Sequence, residues 1–150
     1  MASNRIPTTR VFVDSSVLIA AVLSPTGSAR DLILLGREGR IALIVSSLVV
    51  TEVARNIERK SPDKLSRLQR ILDTCPLEIV EPTKELVASE STQIELKDAP
   101  IVAAAAASDV KFLVTYDAKH LLAEATRIEA RHGLIVCSPA VAIASLVDSE

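Results

Sequence analysis

The stretch FVDSSVL, residues 12–18, places a carboxylate where an apolar run gives way to a helical pattern. Residues 11–13 predict a short buried strand, and residues 17–23 predict the body of a helix. Asp14 is therefore expected at the carboxyl end of a strand. In open sheets of parallel strands, ligands bind beyond these ends, at the point where the strand order reverses. We therefore expect Asp14 at a binding edge of the sheet.

Short apolar runs alternate with helical patterns along the chain, which predicts a parallel sheet covered by helices on both faces. The predicted strands span residues 11–13, 41–45, 77–80, 112–115 and 134–137. The predicted helices span residues 16–23, 29–37, 48–60, 63–74, 84–92, 99–108, a piece within 119–131, and 140–147. The predicted fold class is α/β, a single-domain three-layer α/β/α architecture with a central parallel sheet of about five strands.

Length and composition agree with one globular domain. The chain has 150 residues, and its 49% hydrophobic content excludes general disorder. Only 2% of the residues are aromatic, so the core must consist of Ala, Val, Leu and Ile, which suits buried parallel strands. Residues 1–10 are polar and contain Pro7, and we expect a flexible lead-in there, followed by the domain over residues 11–150.

The sequence carries no signal for export or for a membrane. No apolar stretch reaches the roughly 18 residues of a membrane span, and the polar N-terminus does not resemble a signal peptide. Cys75 and Cys137 have neither a CxxC spacing nor a metal-binding spacing. We therefore expect reduced thiols in a cytoplasmic protein without a membrane partner.

Four acidic residues stand out by their positions in the predicted elements. Asp14 and Asp117 follow strands, Glu52 lies at the edge of the buried arc of a helix, and Asp98 opens an alanine-rich helix. Carboxylates gathered at one sheet edge repel one another unless a cation joins them. Mg²⁺ is bound by a few carboxylates, waters and substrate phosphate, and such ions support phosphodiester hydrolysis. The four acids are a candidate metal site.

Each of these acids also has a purely structural interpretation. Asp98 suits a helix N-cap, Asp14 suits the cap of the helix that follows it, Asp117 suits the start of a turn, and Glu52 suits a solvated helix position. Caps and turns do not explain why the acids at both strand ends lack a basic partner beside them. Both interpretations remain open at this level.

Neither the basic residues nor the histidines near the acids form an evident ion-pair partner or zinc motif. Lys97 and Lys119 are the nearest basic neighbours in sequence, and we expect both to point elsewhere. His120 and His132 lack the spacing of a zinc motif, and we expect both at the surface.

Other ligand sites of α/β proteins are excluded by motif. The chain has four glycines and lacks GxGxxG, GKS, GKT and GxSxG, which argues against dinucleotide binding, a phosphate loop and a serine nucleophile elbow. Asp14-Ser15-Ser16 lacks the second aspartate of DxD phosphatases.

A basic stretch interrupts a chain whose net charge is −2. Its six basic residues are opposed only by Glu58 and Asp63, and they are Arg55, Arg59, Lys60, Lys64, Arg67 and Arg70. The stretch is either a solvated helical face or a patch that follows the phosphates of a nucleic acid.

Four segments follow one another in the order VFVDSSVLIAAVLSPTGSARDLI, SSLVVTEVARNI, KDAPIVAAAAASDVKFLVTYDAKHLL and LIVCSPAVAIASL. In this order they resemble the PIN-domain ribonucleases over nearly the whole chain after residue 10. The resemblance implies a PIN-like nuclease domain over residues 11–150, in which four acids hold Mg²⁺ or Mn²⁺ and cut RNA. The family's four acids match Asp14, Glu52, Asp98 and Asp117.

The resemblance also implies a role for each of these residues. Asp14, Asp98 and Asp117 would ligate the metal, and Glu52 would complete the site or orient the attacking water. The family has a small polar residue two positions after its first acid and a hydroxyl residue before its last acid. Ser16 and Thr115 match these supporting positions.

Many bacterial members that this chain resembles are stand-alone VapC-like toxins held inactive by an antitoxin. We therefore expect a metal-dependent endoribonuclease, the toxin of a type II toxin–antitoxin pair, with RNA as substrate, an antitoxin as partner and a homodimeric state. Arg55, Arg59 and Lys60 are candidate RNA contacts. The alternatives are a non-catalytic PIN-like module that binds RNA or protein, and a PIN nuclease that acts in RNA maturation or on DNA.

Overall fold

The structure, a computed structural model, describes residues 8–148. These residues contain a five-stranded parallel sheet with the strand order β3-β2-β1-β4-β5. The strands are β1 (Arg10–Val13), β2 (Ala42–Ser46), β3 (Leu77–Val80), β4 (Phe112–Val114) and β5 (Ile135–Cys137). The α-helices are α1 (Ser15–Leu23), α2 (Ser28–Arg37), α3 (Ser47–Lys60), α4 (Leu65–Thr74), α5 (Lys84–Glu90), α6 (Ala99–Ala106), α7 (Ala125–His132) and α8 (Pro139–Asp148). The predicted α/β fold is confirmed.

The strand order reverses beside β1. The chain runs from β1 outward through β2 to β3, then returns to the other side of β1 to form β4 and β5. Val13 of β1 is in register with Val114 of β4, so the residues that follow these two strands meet at one edge. The backbone N–H of Asp14 donates to the carbonyl oxygen of Val114 at 3.1 Å. Asp14 therefore lies at the switch point, where α/β sheets bind ligands.

Aliphatic packing on both faces of the sheet forms the core. Val11, Phe12 and Val13 of β1 are fully buried, as expected for a central strand that is covered on both sides. Ala103, Ala104 and Ala105 of α6 are also fully buried. Because these side chains are small, α6 can approach the sheet closely, and its first residue is held near the carboxyl edge of the strands.

The helices form one layer on each face. Contacts join α1 to α2 and α3, α3 to α4, and α2 to α8, while α5 contacts α6. Right-handed crossovers place the helices before β2 and β3 on one face and those before β4 and β5 on the other. The chain adds strands in opposite directions on the two sides of β1, so the two sets of helices cover opposite faces of the sheet. This arrangement produces the predicted three layers.

The predicted bounds of the elements agree with the structure, with differences of one or two residues at most ends. The helix predicted over residues 63–74 instead begins as a 3₁₀ turn, Pro62–Lys64, before α4. The piece predicted within residues 119–131 is α7, which ends at His132 and is followed by Gly133 in a left-handed conformation with φ 73°. Most of the predicted lead-in lies outside the described residues, and Arg10 already belongs to β1.

The lengths of the helices and the state of the two cysteines relate to the expectations about membrane spans and thiols. Within residues 8–148, no single helix is long and apolar enough to cross a membrane, and only α1 and α2 together, bent by 96°, meet the length and composition required. Cys75 and Cys137 are buried, free thiols.

The contact between α2 and β2 gives a stability prediction. A Cβ added at Gly36 would stand 2.6 Å from Cγ of Leu43 and closer still to its Cδ1. Ala favours a helix over Gly by about 0.5–1 kcal/mol, but overpacking a buried contact costs about 1–3 kcal/mol. Gly36→Ala should therefore lower the free energy of unfolding, measured by urea denaturation.

The control for this prediction is the same substitution in a Leu43→Ala background, which removes the clashing atoms. There Gly36→Ala should be neutral or stabilising, because only the helix propensity remains. An equal cost in both backgrounds would show that Leu43 is not the source of the strain.

Candidate active site

The four acids singled out by the sequence line one cavity at the switch point. The cavity has a volume of about 300 Å³, and its lining includes Asp14, Glu52, Asp98 and Asp117. They come from four different places: the end of β1, the second turn of α3, the start of α6 and the loop after β4. The fold therefore brings together side chains that are up to 103 positions apart in sequence, from Asp14 to Asp117.

Asp14 is held by two hydroxyl groups, and it does not cap α1. Its Oδ2 accepts hydrogen bonds from Oγ of Ser16 at 2.9 Å and from Oγ1 of Thr115 at 2.7 Å. Asp14 occupies the N-cap position, but its side chain makes no capping hydrogen bond, so the cap interpretation is wrong. No hydrogen bond from the described residues reaches its Oδ1, which leaves that oxygen available to a ligand.

Ser16 and Thr115 also fix the backbone that leads to Asp117. Oγ of Ser16 accepts the N–H of Tyr116 at 3.0 Å, and Oγ1 of Thr115 accepts the N–H of Asp117 at 3.0 Å. Each hydroxyl thus donates to Asp14 and accepts from the loop after β4. The two residues predicted to support the site connect its two strand-end acids.

Asp98 opens α6 without capping it. Its φ and ψ of −93° and −20° are helical, whereas a capping residue usually has an extended backbone, and its side chain makes no capping hydrogen bond. The cap interpretation is therefore wrong here too. Burial raises the pKa of Asp98 because a buried carboxylate loses hydration; Lys97 opposes this shift, and Asp117 adds to it.

Asp117 and Glu52 complete the cavity in different ways. Oδ1 of Asp117 accepts the backbone N–H of His120 at 3.2 Å, so the turn interpretation of this acid is correct as well. Glu52 is half-buried and lines the cavity, which excludes a fully solvated position. Its helix is anchored at the sheet edge by Ser46, whose side chain accepts the N–H of Val49.

Three expectations about the neighbouring residues are wrong. Lys97 lines the same cavity as the acids and does not point elsewhere. Nδ1 of His120 stands 3.4 Å from Oε1 of Glu95, and His132 contacts the buried carboxylate of Glu90. Both histidines are partly buried beside acids that lie far away in sequence, and no local pattern indicates such pairings.

Glu90 connects α5 to α7. It is 2% exposed, and its Oε2 accepts a hydrogen bond from Nη2 of Arg131 at 2.9 Å. Burial acts to raise the pKa of Glu90, but the hydrogen bonds from Arg131 and His132 outweigh it and hold the pKa below its usual value. The group is a structural ion pair outside the lining of the four-acid cavity.

The candidate RNA contacts lie further along α3 than Glu52. Arg55, Arg59 and Lys60 are exposed, and none of them is among the described residues that line the cavity. Their role stays a prediction.

The donor set of the cavity fits a hard divalent cation. All four acids offer oxygen ligands, which Mg²⁺ and Mn²⁺ prefer. Asp14 retains one carboxylate oxygen free of hydrogen bonds from the described residues, and the capping positions do not use the carboxylates of Asp14 and Asp98. A cation would also offset the repulsion between Asp98 and Asp117.

The fold and the cavity together define a class of protein: a doubly wound α/β domain with a carboxylate-lined cavity at its switch point. The family model of the PIN domain matches residues 10–119 of the chain. The chain belongs to the PIN-domain family, whose members are generally nucleases. None of the curated proteins that were compared with the chain matches it.

Two solved structures share this fold. The structure of VapBC2 from Rickettsia felis bound to a promoter DNA fragment has a TM-score of 0.62 and 20% identity to this chain. The alignment covers 85% of this chain and 97% of that chain. PAE2754 from Pyrobaculum aerophilum has a TM-score of 0.61 and 16% identity, covering 93% of this chain and 90% of that one. At these identities the likeness concerns the fold alone.

The raised pKa of Asp98 gives a prediction on stability and pH. The folded state holds the Asp98 proton more tightly than the unfolded chain, so this residue's contribution to stability falls as pH rises from the unfolded pKa through the folded one. Because the carboxylate caps no helix, Asp98→Asn in EDTA should raise the melting temperature at neutral pH by a few degrees. It should also flatten the loss of stability between acidic and neutral pH.

The matched control is Asp31→Asn, which neutralises an exposed acid in the first turn of α2. That change should not stabilise, since it removes a favourable interaction with the helix dipole. Excess Mg²⁺ or Mn²⁺ should stabilise the wild type and Asp31→Asn alike, and Asp98→Asn much less, since the ion binds only the folded state. A lower melting temperature for Asp98→Asn with an undiminished metal response would exclude Asp98 as a ligand.

Proposed function

We propose that the chain is a metal-dependent endoribonuclease that hydrolyses RNA phosphodiester bonds, and that it is the toxin of a type II toxin–antitoxin pair. The observation that carries the proposal is the cavity lined by Asp14, Glu52, Asp98 and Asp117 at the switch point of a PIN-domain chain. A site of this kind suits a negatively charged substrate only when a cation accompanies it, because four carboxylates alone repel a phosphate.

Three of the acids would hold the cation in this proposal. Asp14, Asp98 and Asp117 are the ligands, and Glu52 completes the site or orients the attacking water. A bound Mg²⁺ or Mn²⁺ ion would favour ionisation of that water and offset the negative charge of the scissile phosphate.

The residues of the chain then have separate tasks in the reaction. Ser16 and Thr115 restrain one oxygen of Asp14, which fixes the orientation of the carboxylate. Lys97 lines the cavity and adds a positive charge for the phosphate. The water loses a proton to solvent as its oxygen attacks phosphorus, the bond from phosphorus to the 3′ oxygen breaks, and that oxygen takes up a proton from solvent. The products carry 5′-phosphate and 3′-hydroxyl ends.

The resemblance to VapC-like toxins extends the proposal to partners and location. We propose an antitoxin partner, a homodimer and a cytoplasmic location, with the nuclease domain over residues 11–150. The similarity in fold to VapBC2 from Rickettsia felis supports the toxin–antitoxin assignment.

Substitution of Asp14 tests the nuclease. Asp14→Asn keeps the size of the side chain but removes a charge from the ligand set, so it should lower RNA cleavage by orders of magnitude without unfolding the protein. EDTA should stop cleavage by the wild type, and Mg²⁺ or Mn²⁺ should restore it. The measurement is cleavage of total cellular RNA and, separately, of single-stranded DNA. Asp31→Asn is the control, and it should cut RNA at the wild-type rate.

Each outcome separates the proposal from its alternatives. Cleavage by Asp14→Asn at the wild-type rate contradicts the proposed site. Preferential cleavage of the DNA favours a DNA nuclease, and RNA binding without cleavage by the metal-loaded wild type favours a non-catalytic module.

A second experiment tests the part of the basic stretch that lies on α3. If Arg55 and Arg59 contact phosphates, the double change Arg55→Gln and Arg59→Gln should weaken RNA binding in EDTA. It should flatten the dependence of log K on log salt by about 1.4 for single-stranded RNA, since each lost contact removes roughly 0.7. Arg127→Gln, which removes an exposed arginine of α7, is the matched control. An unchanged slope assigns Arg55 and Arg59 to a solvated face.

A further inference from the structure

A cavity at the end of α1 has the opposite charge to the four-acid cavity. It has a volume of about 190 Å³, and residues of α1, the turn after it, α2 and α4 line it. The charged residues of the lining are Arg30, Arg67 and Arg70, and no acid is among the described residues that line it. We propose that these three arginines form a binding site for a phosphate group.

Tertiary packing brings the three guanidinium groups to one place. Arg67 and Arg70 lie three positions apart on α4, so their side chains share one face of that helix. Arg30 comes from the first turn of α2 and is half-buried. Nη1 of Arg67 donates to the carbonyl oxygen of Val22 at 3.4 Å, which holds this guanidinium against the α1 wall of the cavity. Two arginines of the basic stretch thus meet a third from a distant part of the chain.

The fold leaves the positive charge of this cavity uncompensated. No carboxylate of the residues that the structure describes forms an ion pair with Arg30, Arg67 or Arg70. Asp31 is in the same turn as Arg30, but it is exposed and lies outside the lining. The N-terminus of α2 adds partial positive charge, and its N-cap residue, Gly27, has no side chain to accept hydrogen bonds. Because arginine does not lose its proton, an anion must supply the compensation.

The number and shape of the donors favour phosphate over a carboxylate. Each guanidinium presents a planar fork of N–H groups that matches the oxygens of phosphate. A phosphate group directs its oxygens to several sides, so it can accept from three forks at once. A carboxylate has two coplanar oxygens and one charge. An acidic peptide is therefore the weaker candidate for this cavity.

A phosphodiester of an RNA strand and a free phosphate ion are the two sources of this chemistry. Helix α1 connects the two cavities, since it starts after Asp14 and its Ala21 lines the arginine cavity. These residues are seven positions apart, which is about 10 Å along a helix and about three stacked nucleotides of an RNA strand. The RNA source rests on the proposed function, whereas the phosphate site itself does not.

Thermal unfolding with inorganic phosphate tests the site without RNA or metal. The melting temperature is measured in EDTA at constant ionic strength, in phosphate and in chloride. Phosphate should raise the melting temperature of the wild type by a few degrees, and Arg30→Gln should lose most of this gain. Arg127→Gln removes an exposed arginine of α7 and should keep the gain, which controls for the general effect of phosphate on stability. Arg70→Gln, at an exposed position, should repeat the loss if Arg30→Gln folds poorly.

Binding of a single-stranded RNA in EDTA tests whether an RNA strand supplies the phosphate. Arg30→Gln should weaken binding at least about threefold and flatten the dependence of log K on log salt by about 0.7. Arg30→Lys keeps the charge but loses the planar fork, so it should weaken binding with little change in the slope. Arg127→Lys is the matched control and should bind as the wild type does.

The two measurements separate the sources. Loss of both phosphate stabilisation and RNA affinity in Arg30→Gln supports a phosphodiester in the cavity, and loss of phosphate stabilisation alone supports a site for free phosphate. An equal phosphate gain in the wild type, Arg30→Gln and Arg70→Gln would overturn the proposal. So would a glutamate-rich peptide whose binding these variants weaken while their phosphate gain is intact. Cleavage enters neither measurement, so a failure of the nuclease proposal would be recognised separately.

Discussion

The pairing of β1 with β4 is the constraint on which the rest of the structure depends. These strands flank the reversal of strand order, and their register sets Asp14 beside Thr115. One backbone hydrogen bond from Asp14 to Val114 and one side-chain hydrogen bond from Thr115 to Asp14 join two segments that are about a hundred residues apart. Every other group of the cavity is placed relative to this junction, since α1 starts after Asp14 and the loop after β4 carries Asp117.

The same junction concentrates negative charge in a poorly hydrated place. Asp14 and Asp98 are buried, and the charge of Asp117 adds to the burial that raises the pKa of Asp98. Stability alone would favour neutral residues here, because buried like charges oppose folding. Elsewhere the chain resolves such a conflict within itself: buried Glu90 is compensated by Arg131 and His132. The incomplete compensation of the acids at the switch point is what makes that edge suited to a cation and a phosphate.

Much of the site was predictable because local sequence determines which residues end strands and open helices. Asp14 and Asp117 were identified from the apolar runs before them, and Asp98 from the alanine-rich helix after it. The parts that were missed or wrong depend on contacts across the fold. Lys97 lines the cavity, His120 faces Glu95, and His132 faces Glu90, and the helical or strand periodicity of these segments contains no information about such pairings.

The sequence by itself determined the α/β class, the bounds of most elements and the four acids as candidates, because apolar periodicity and strand-end position are local properties. Only the tertiary structure decided that Asp14 and Asp98 cap no helix, and that two hydroxyls hold one oxygen of Asp14. The physical reason is that parallel strands are joined through long crossovers. Neighbours at their carboxyl ends are therefore distant in sequence, and their hydrogen bonds depend on register and side-chain direction.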